Sequence, residues 1–203
     1  MTGKRNKPEF QDYHRTIIGD HGTKRSTALE IIQGFREFEP SKNRDDWLGN
    51  GIYFWEHGPQ QAWWWAERRR EQKNDSGDRK PDEEIAVLAS MIRLGRCLDL
   101  LDPSVIQEIR EFHAVFVKDQ LSTGKPAIEN AHTHRYLDCA VFEYAYGYLE
   151  EQGRAIDTCR AAYVPTNSKK RIWKGSWIYE GTHLQICVRN PKCILGTWLV
   201  KPQ

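Results

Sequence analysis

Three short stretches carry the residue types that could do chemistry. Tyr13-His14-Arg15-Thr16 sets an imidazole and a hydroxyl on an early extended segment, and Gly49-Asn50-Gly51-Ile52-Tyr53-Phe54 sets an aromatic at a strand entry. His183-Leu184-Gln185-Ile186-Cys187-Val188 sets a carboxamide on a late strand, and Trp64 stands eleven residues after Tyr53. An imidazole can donate from one nitrogen and accept at the other. Two aromatic faces hold a flat cationic ring by stacking and cation–π attraction, about 0.5 to 2 kcal/mol each. Gly49 and Gly51 permit a close backbone turn before the strand. His132-Thr133-His134, with Asp138 one helical turn beyond, has no third ligand at a recognisable spacing, so no metal is expected. Gly22 to Ser26 lacks P-loop spacing, and neither a GxSxG elbow nor an HExxH helix occurs.

In this order and spacing the three stretches and Trp64 resemble the H-Y-E class of NAD-dependent ADP-ribosyltransferases, the group that includes diphtheria toxin and the poly(ADP-ribose) polymerases. The resemblance covers residues 10 to 100 and 155 to 200 and leaves the helical middle unassigned. It implies that His14 binds the adenosine ribose and the nicotinamide end of the site, that Arg15 stands where the family often has a carboxamide-gripping glycine, and that Thr16 is the small hydroxyl residue after it. Gly51 is then part of the turn that enters the NAD+ site, and Tyr53 and Trp64 are the two aromatic walls of the nicotinamide pocket.

The same resemblance puts a carboxylate just before Ile186-Cys187-Val188, where this chain has Gln185. A glutamine orients a ribose hydroxyl but supplies neither negative charge nor base. That departure argues against chain elongation and leaves mono-transfer, with Glu180 as an alternative carboxylate on the approach to the strand. What the resemblance implies is a mono-ADP-ribosyltransferase toxin, similar to those of toxin–antitoxin and phage-defence systems. Its co-substrate would be NAD+, without a metal; its partners would be a macromolecular acceptor, nucleic acid (RNA or DNA) ahead of protein, and an antitoxin. The alternatives are a NAD+ glycohydrolase and a non-catalytic ADP-ribose or nucleic-acid binding module.

Positioning these residues requires strands at both ends of the chain. Phe10 to Ile18 reads as a first strand, and Thr27-Ala28-Leu29-Glu30 opens a short helix ending at Gly34. Pro59 suits a first helical position, with the helix running through the tryptophans to Arg68, Arg69 and Arg70. Lys73 to Asp82 reads as a polar loop, and Ile85 to Leu100 as a long strand bent at Gly95. Asp102-Pro103 caps a helix with Val105, Ile109, Phe112 and Phe116 on one face. Arg135 to Gln152 forms another, with a stripe of Leu137, Val141, Tyr144, Ala145 and Tyr148. Strands return at Cys159 to Val164, His183 to Arg189 and Cys193 to Val200, with turns at Pro165 to Lys170 and Asn190-Pro191. The predicted class is α+β, a split antiparallel ADP-ribosyltransferase-like sheet with a helical insertion at about 103–152, in a single domain over 1–203.

Composition agrees with a folded chain. Of 203 residues 39% are hydrophobic and 29% charged with the signs nearly balanced, which excludes disorder by charge excess. A net charge of +2 neither requires nor opposes a nucleic-acid partner. Five cysteines without a CxxC pair fit a reducing cytoplasm. The absence of a long apolar run predicts no membrane partner. Eight tryptophans, five of them between Trp47 and Trp65, fit a stacking site whose wall is Trp64, with Trp47, Trp55, Trp63 and Trp65 packed around it. Trp173 and Trp177, close to the Lys169-Lys170-Arg171 run, suit single-stranded nucleic acid.

Overall fold

The structure, a computed structural model, describes residues 13–74, 83–124, 126–131, 134–165 and 168–201. Among them run β1 (Tyr13–Lys24), α1 (Arg25–Ile32), β2 (Ile52–Glu56), α2 (Pro59–Asn74), β3 (Ile85–Gly95), β4 (Cys97–Asp99), α3 (Pro103–Ser122), α4 (Tyr136–Glu151), β5 (Thr158–Tyr163), β6 (His183–Val188) and β7 (Ile194–Leu199). Hydrogen bonds join the strands into one sheet in the order β4-β5-β6-β2-β1-β3-β7, and every neighbouring pair is antiparallel except β4 with β5. The expected α+β class therefore holds.

Several elements follow from local chemistry. The apolar run of β3 is buried along most of its length against β1 and β7, and the chain bends at Gly95 into β4. Asp102 caps α3 by accepting from the Ser104 backbone N–H at 2.8 Å, and Pro103 starts the helix. β1 is longer than its sequence pattern predicts. It continues through Gly19-Asp20-His21-Gly22 to Lys24, because pairing with β3 compensates for the weak strand propensity of glycine and aspartate. The polar stretch expected from Lys73 begins as the last turn of α2, and residues 75–82 lie outside those described.

The core lies on both faces of the sheet. On one face Ile17, Ile52, Phe54, Ile92, Leu94, Ile186 and Val188 pack together, and on the other α4 covers Leu98, Cys159 and Cys187 with Phe142, Tyr146 and Leu149. Burying each large apolar side chain contributes about 1.5 to 3 kcal/mol. The α4 stripe differs from the expected one in a way that has a cause. Val141 and Ala145 are buried, whereas Tyr144 and Tyr148 face α3 and meet Phe116 and Phe112 edge-on, each at 5.6 Å. A second helix layer claims those two tyrosines. No helix among the described residues is long and apolar enough to cross a membrane.

Candidate functional site

The site is built where β1 and β2 part. These strands pair at Gly19 with Glu56 and Asp20 with Trp55. One step further the His21 ring approaches the Tyr53 carbonyl, with Nδ1 at 2.8 Å. A carbonyl accepts only, so Nδ1 carries the proton and Nε2 is left as an acceptor. Burial lowers the His21 pKa from its ordinary 6.5, which keeps the ring neutral at pH 7. The next residue, Gly22, is where α2 crosses β1. A Cβ built there would overlap the Ala62 carbonyl oxygen, so only glycine lets the tryptophan-bearing helix sit this close.

Tyr53 stands on β2 opposite Cys187 of β6. Its hydroxyl donates to the Gly49 carbonyl at 2.8 Å and accepts from the Leu48 N–H at 3.1 Å. Burial pushes its pKa well above the ordinary value, so it remains a neutral phenol. Gly51 is required by proximity, since a Cβ there would lie 2.5 Å from the Cys187 sulfur. Burial also raises the Cys187 thiol to about 12, making it a packing group rather than a nucleophile. All five cysteines are free and buried.

Gln185 lies one same-face step from Cys187, opposite Trp55 on β2 and Ala161 on β5. The Trp47 indole N–H donates to its Oε1 at 2.6 Å. Because an indole only donates, this bond fixes the amide's orientation and leaves the NH2 as the group available to a ligand. Around this carboxamide runs a ring of aromatics. Trp47 meets Tyr163 edge-on at 6.0 Å, Tyr163 stacks on His183 at 4.9 Å, and Trp55 lies 6.3 Å from His183 and 5.8 Å from Trp65. Trp47, expected as packing, is thus a direct partner of Gln185.

The other predicted residues are placed as follows. Gly51, just before β2, and Tyr53 on it both lie against Cys187 of β6, and Gln185 stands two residues before that cysteine. Trp64 is on α2, 52% exposed, with its ring available for stacking. The His14 side chain lies outside the described residues; its backbone is at the far end of β1, seven residues before His21, roughly 23 Å along an extended strand. Arg15 and Thr16 share that end. Both are exposed, and Arg15 reaches Asp99 at 3.8 Å. The structure therefore does not join the His14-Arg15-Thr16 stretch to Tyr53, because β1 runs on past it before meeting β2. Glu180 is exposed in the turn before β6, its N–H bonded to the Lys170 carbonyl at 2.7 Å, and it takes no part in the hydrogen bonds described around Gln185. His132 and Thr133 are outside the described residues, while His134 pairs with Asp45 at 2.7 Å and stacks on Tyr136 at 5.2 Å.

His21 is the functional candidate that sequence reasoning missed, and a signal for it existed. His21-Gly22-Thr23 fits the histidine–glycine–hydroxyl order that His14-Arg15-Thr16 breaks at its second position. Comparison with known proteins adds nothing to these assignments: no family model matches the chain, and neither a curated protein nor a solved structure matches it.

Proposed function

We propose that this chain is a mono-ADP-ribosyltransferase that cleaves the nicotinamide–ribose bond of NAD+ and passes ADP-ribose to a macromolecular acceptor, on an ADP-ribosyltransferase-like core. The observation that carries the reading is the bond from His21 to the Tyr53 carbonyl where β1 and β2 part, with Gln185, oriented by Trp47, opposite Trp55 on the neighbouring β6. In this reading His21 takes the part that the sequence pattern gave to His14. Its Nε2 accepts from a ribose hydroxyl of NAD+, and the backbone of Gly22 holds the carboxamide in place of Arg15. Tyr53 and Trp64 flank the nicotinamide. The Gln185 NH2 donates to the nicotinamide-ribose 2′-oxygen and orients it without contributing charge. Catalysis then rests on holding NAD+ in a bent, preorganised conformation while positive charge grows at the anomeric carbon.

The acceptor reading favours nucleic acid. Trp173 is 63% and Trp177 92% exposed on the segment between β5 and β6, beside Lys169, Lys170 and Lys174. Exposed indoles among cations suit unpaired bases, each stack being worth about 1 to 3 kcal/mol.

Incubating the chain with NAD+ labelled in its adenylate half, together with RNA, DNA and protein from a cell lysate, tests the reading. Label joined to a macromolecule with stoichiometric nicotinamide release is the expected result. Nicotinamide release without transfer would make the chain a glycohydrolase, and binding without turnover would make it a binding module.

A further inference from the structure

His183 stands on β6 two residues before Gln185 and on the same face. Its Nδ1 lies 2.6 Å from the Gly181 carbonyl, which fixes the proton on that nitrogen and leaves Nε2 as a bare lone pair. Nε2 is buried, and it is the one buried side-chain nitrogen or oxygen among the described residues without a hydrogen-bond partner. Such atoms are normally satisfied, and leaving one unmet costs about 1 to 3 kcal/mol. The rings that face the imidazole, Tyr163 from β5 and Trp55 from β2 with Trp65 of α2 beyond it, carry no charge at neutral pH. Burial lowers the His183 pKa below its ordinary 6.5, so the ring is neutral and able to take a proton. Tyr163 and Trp65 are surface rings, 41% and 45% exposed, so the cluster lies at the surface of the fold.

We propose that His183 Nε2 is the general base that takes the proton of the acceptor nucleophile, the task for which Gln185 has no charge. This rests on the ADP-ribosyl transfer proposed above. The acceptor atom X of an X–H group bonds to C1′ of the nicotinamide ribose as the C1′–nitrogen bond breaks. The electron pair of that bond leaves with nicotinamide, which departs neutral, and the proton of X–H passes to Nε2. Imidazolium replaces pyridinium as the single positive charge, and the proton is later lost to water. Two residues along a strand span about 7 Å, which leaves space for an acceptor atom between the ring and a ribose held by Gln185.

The test compares the full wild-type chain with His183→Gln and His183→Phe, using adenylate-labelled NAD+ and the same lysate RNA, DNA and protein. In either variant transfer should fall by about 100-fold or more, with the KM for NAD+ changed less than about threefold. Wild-type transfer should weaken on the acid side with an inflection below pH 6.5, and this limb should be missing from the residual rate of the variants. Phenylalanine keeps the stack on Tyr163, and His183→Asn is read in the same way if neither of these variants folds. Transfer at the wild-type rate in a folded variant, or an acid limb that persists unchanged in the variants, would overturn the base while leaving the transferase reading intact. A wild-type chain that neither releases nicotinamide nor transfers label would overturn both.

Discussion

The two faces of the β2–β6–β5 ladder carry polar groups of opposite character. On one face Arg160 is buried and bound on every side: Glu56 accepts at 2.5 and 3.0 Å, and Asp99 at 3.2 and 3.3 Å. On the other face, beyond Ala161, Gln185 has one bond from Trp47 and His183 leaves Nε2 with none. The first face is electrostatically closed, with each buried charge matched in place, and so it stabilises the sheet. The second is electrically neutral and incompletely bonded, which is the condition of a surface made to receive a ligand. Within this ladder residue parity thus separates a fully paired polar set from an incompletely bonded one, since successive side chains point to opposite faces, while His21 packs on Phe54 and Phe38.

Arg160→Leu tests the closed face and should have the largest effect. Stranding two buried carboxylates costs about 3 to 5 kcal/mol, or roughly 10 °C in melting temperature for a chain this size. Calorimetry gives the loss, and NAD+ turnover measured well below the melting point should be unchanged. On the open face Gln185→Glu keeps an acceptor for the Trp47 indole and supplies the missing charge. Nicotinamide release into water should rise roughly tenfold, read by chromatography of the spent co-substrate. Trp47→Phe removes the bond that orients the amide, and the KM for NAD+ should rise several-fold, consistent with the loss of one hydrogen bond.

The smallest effect belongs to Asp20, a carboxylate buried beneath the turn into α2, where the Gly58 backbone bonds to it. Burial raises its pKa, so ionisation penalises the folded state. The penalty is absent below the unfolded value of 3.8 and grows as the pH rises from there through the folded pKa. Asp20→Asn should therefore raise the melting temperature by a few degrees at pH 7, the gain vanishing near pH 3.5.

Much of the fold was legible because its signals are local. Asp102-Pro103 opens α3, Pro59 opens α2, and the apolar run from Ile85 becomes β3. The extent of β1 was not legible, because Gly19, Asp20 and Gly22 look like a turn until β3 pairs with them. The candidate site was legible only in its strands. The strands that carry Tyr53 and Gln185 were readable from their own segments, and register places the two residues on neighbouring strands, Tyr53 opposite Cys187 and Gln185 opposite Trp55. His21, seven residues beyond His14, comes to the Tyr53 carbonyl only because of where β1 meets β2, which is a long-range property. The aromatic surround of Gln185 draws Trp47, Trp55, Tyr163 and His183 from four separate segments, and no spacing within one segment encodes it.

The central claim is that His21, bonded to the Tyr53 carbonyl, is the histidine of an NAD+ site. Nicotinamide release from NAD+ by the full chain should fall at least 100-fold in His21→Ala, with a wild-type circular dichroism spectrum, and change less than about threefold in His14→Ala. Retained turnover in a folded His21→Ala, or its loss in His14→Ala instead, would contradict the account.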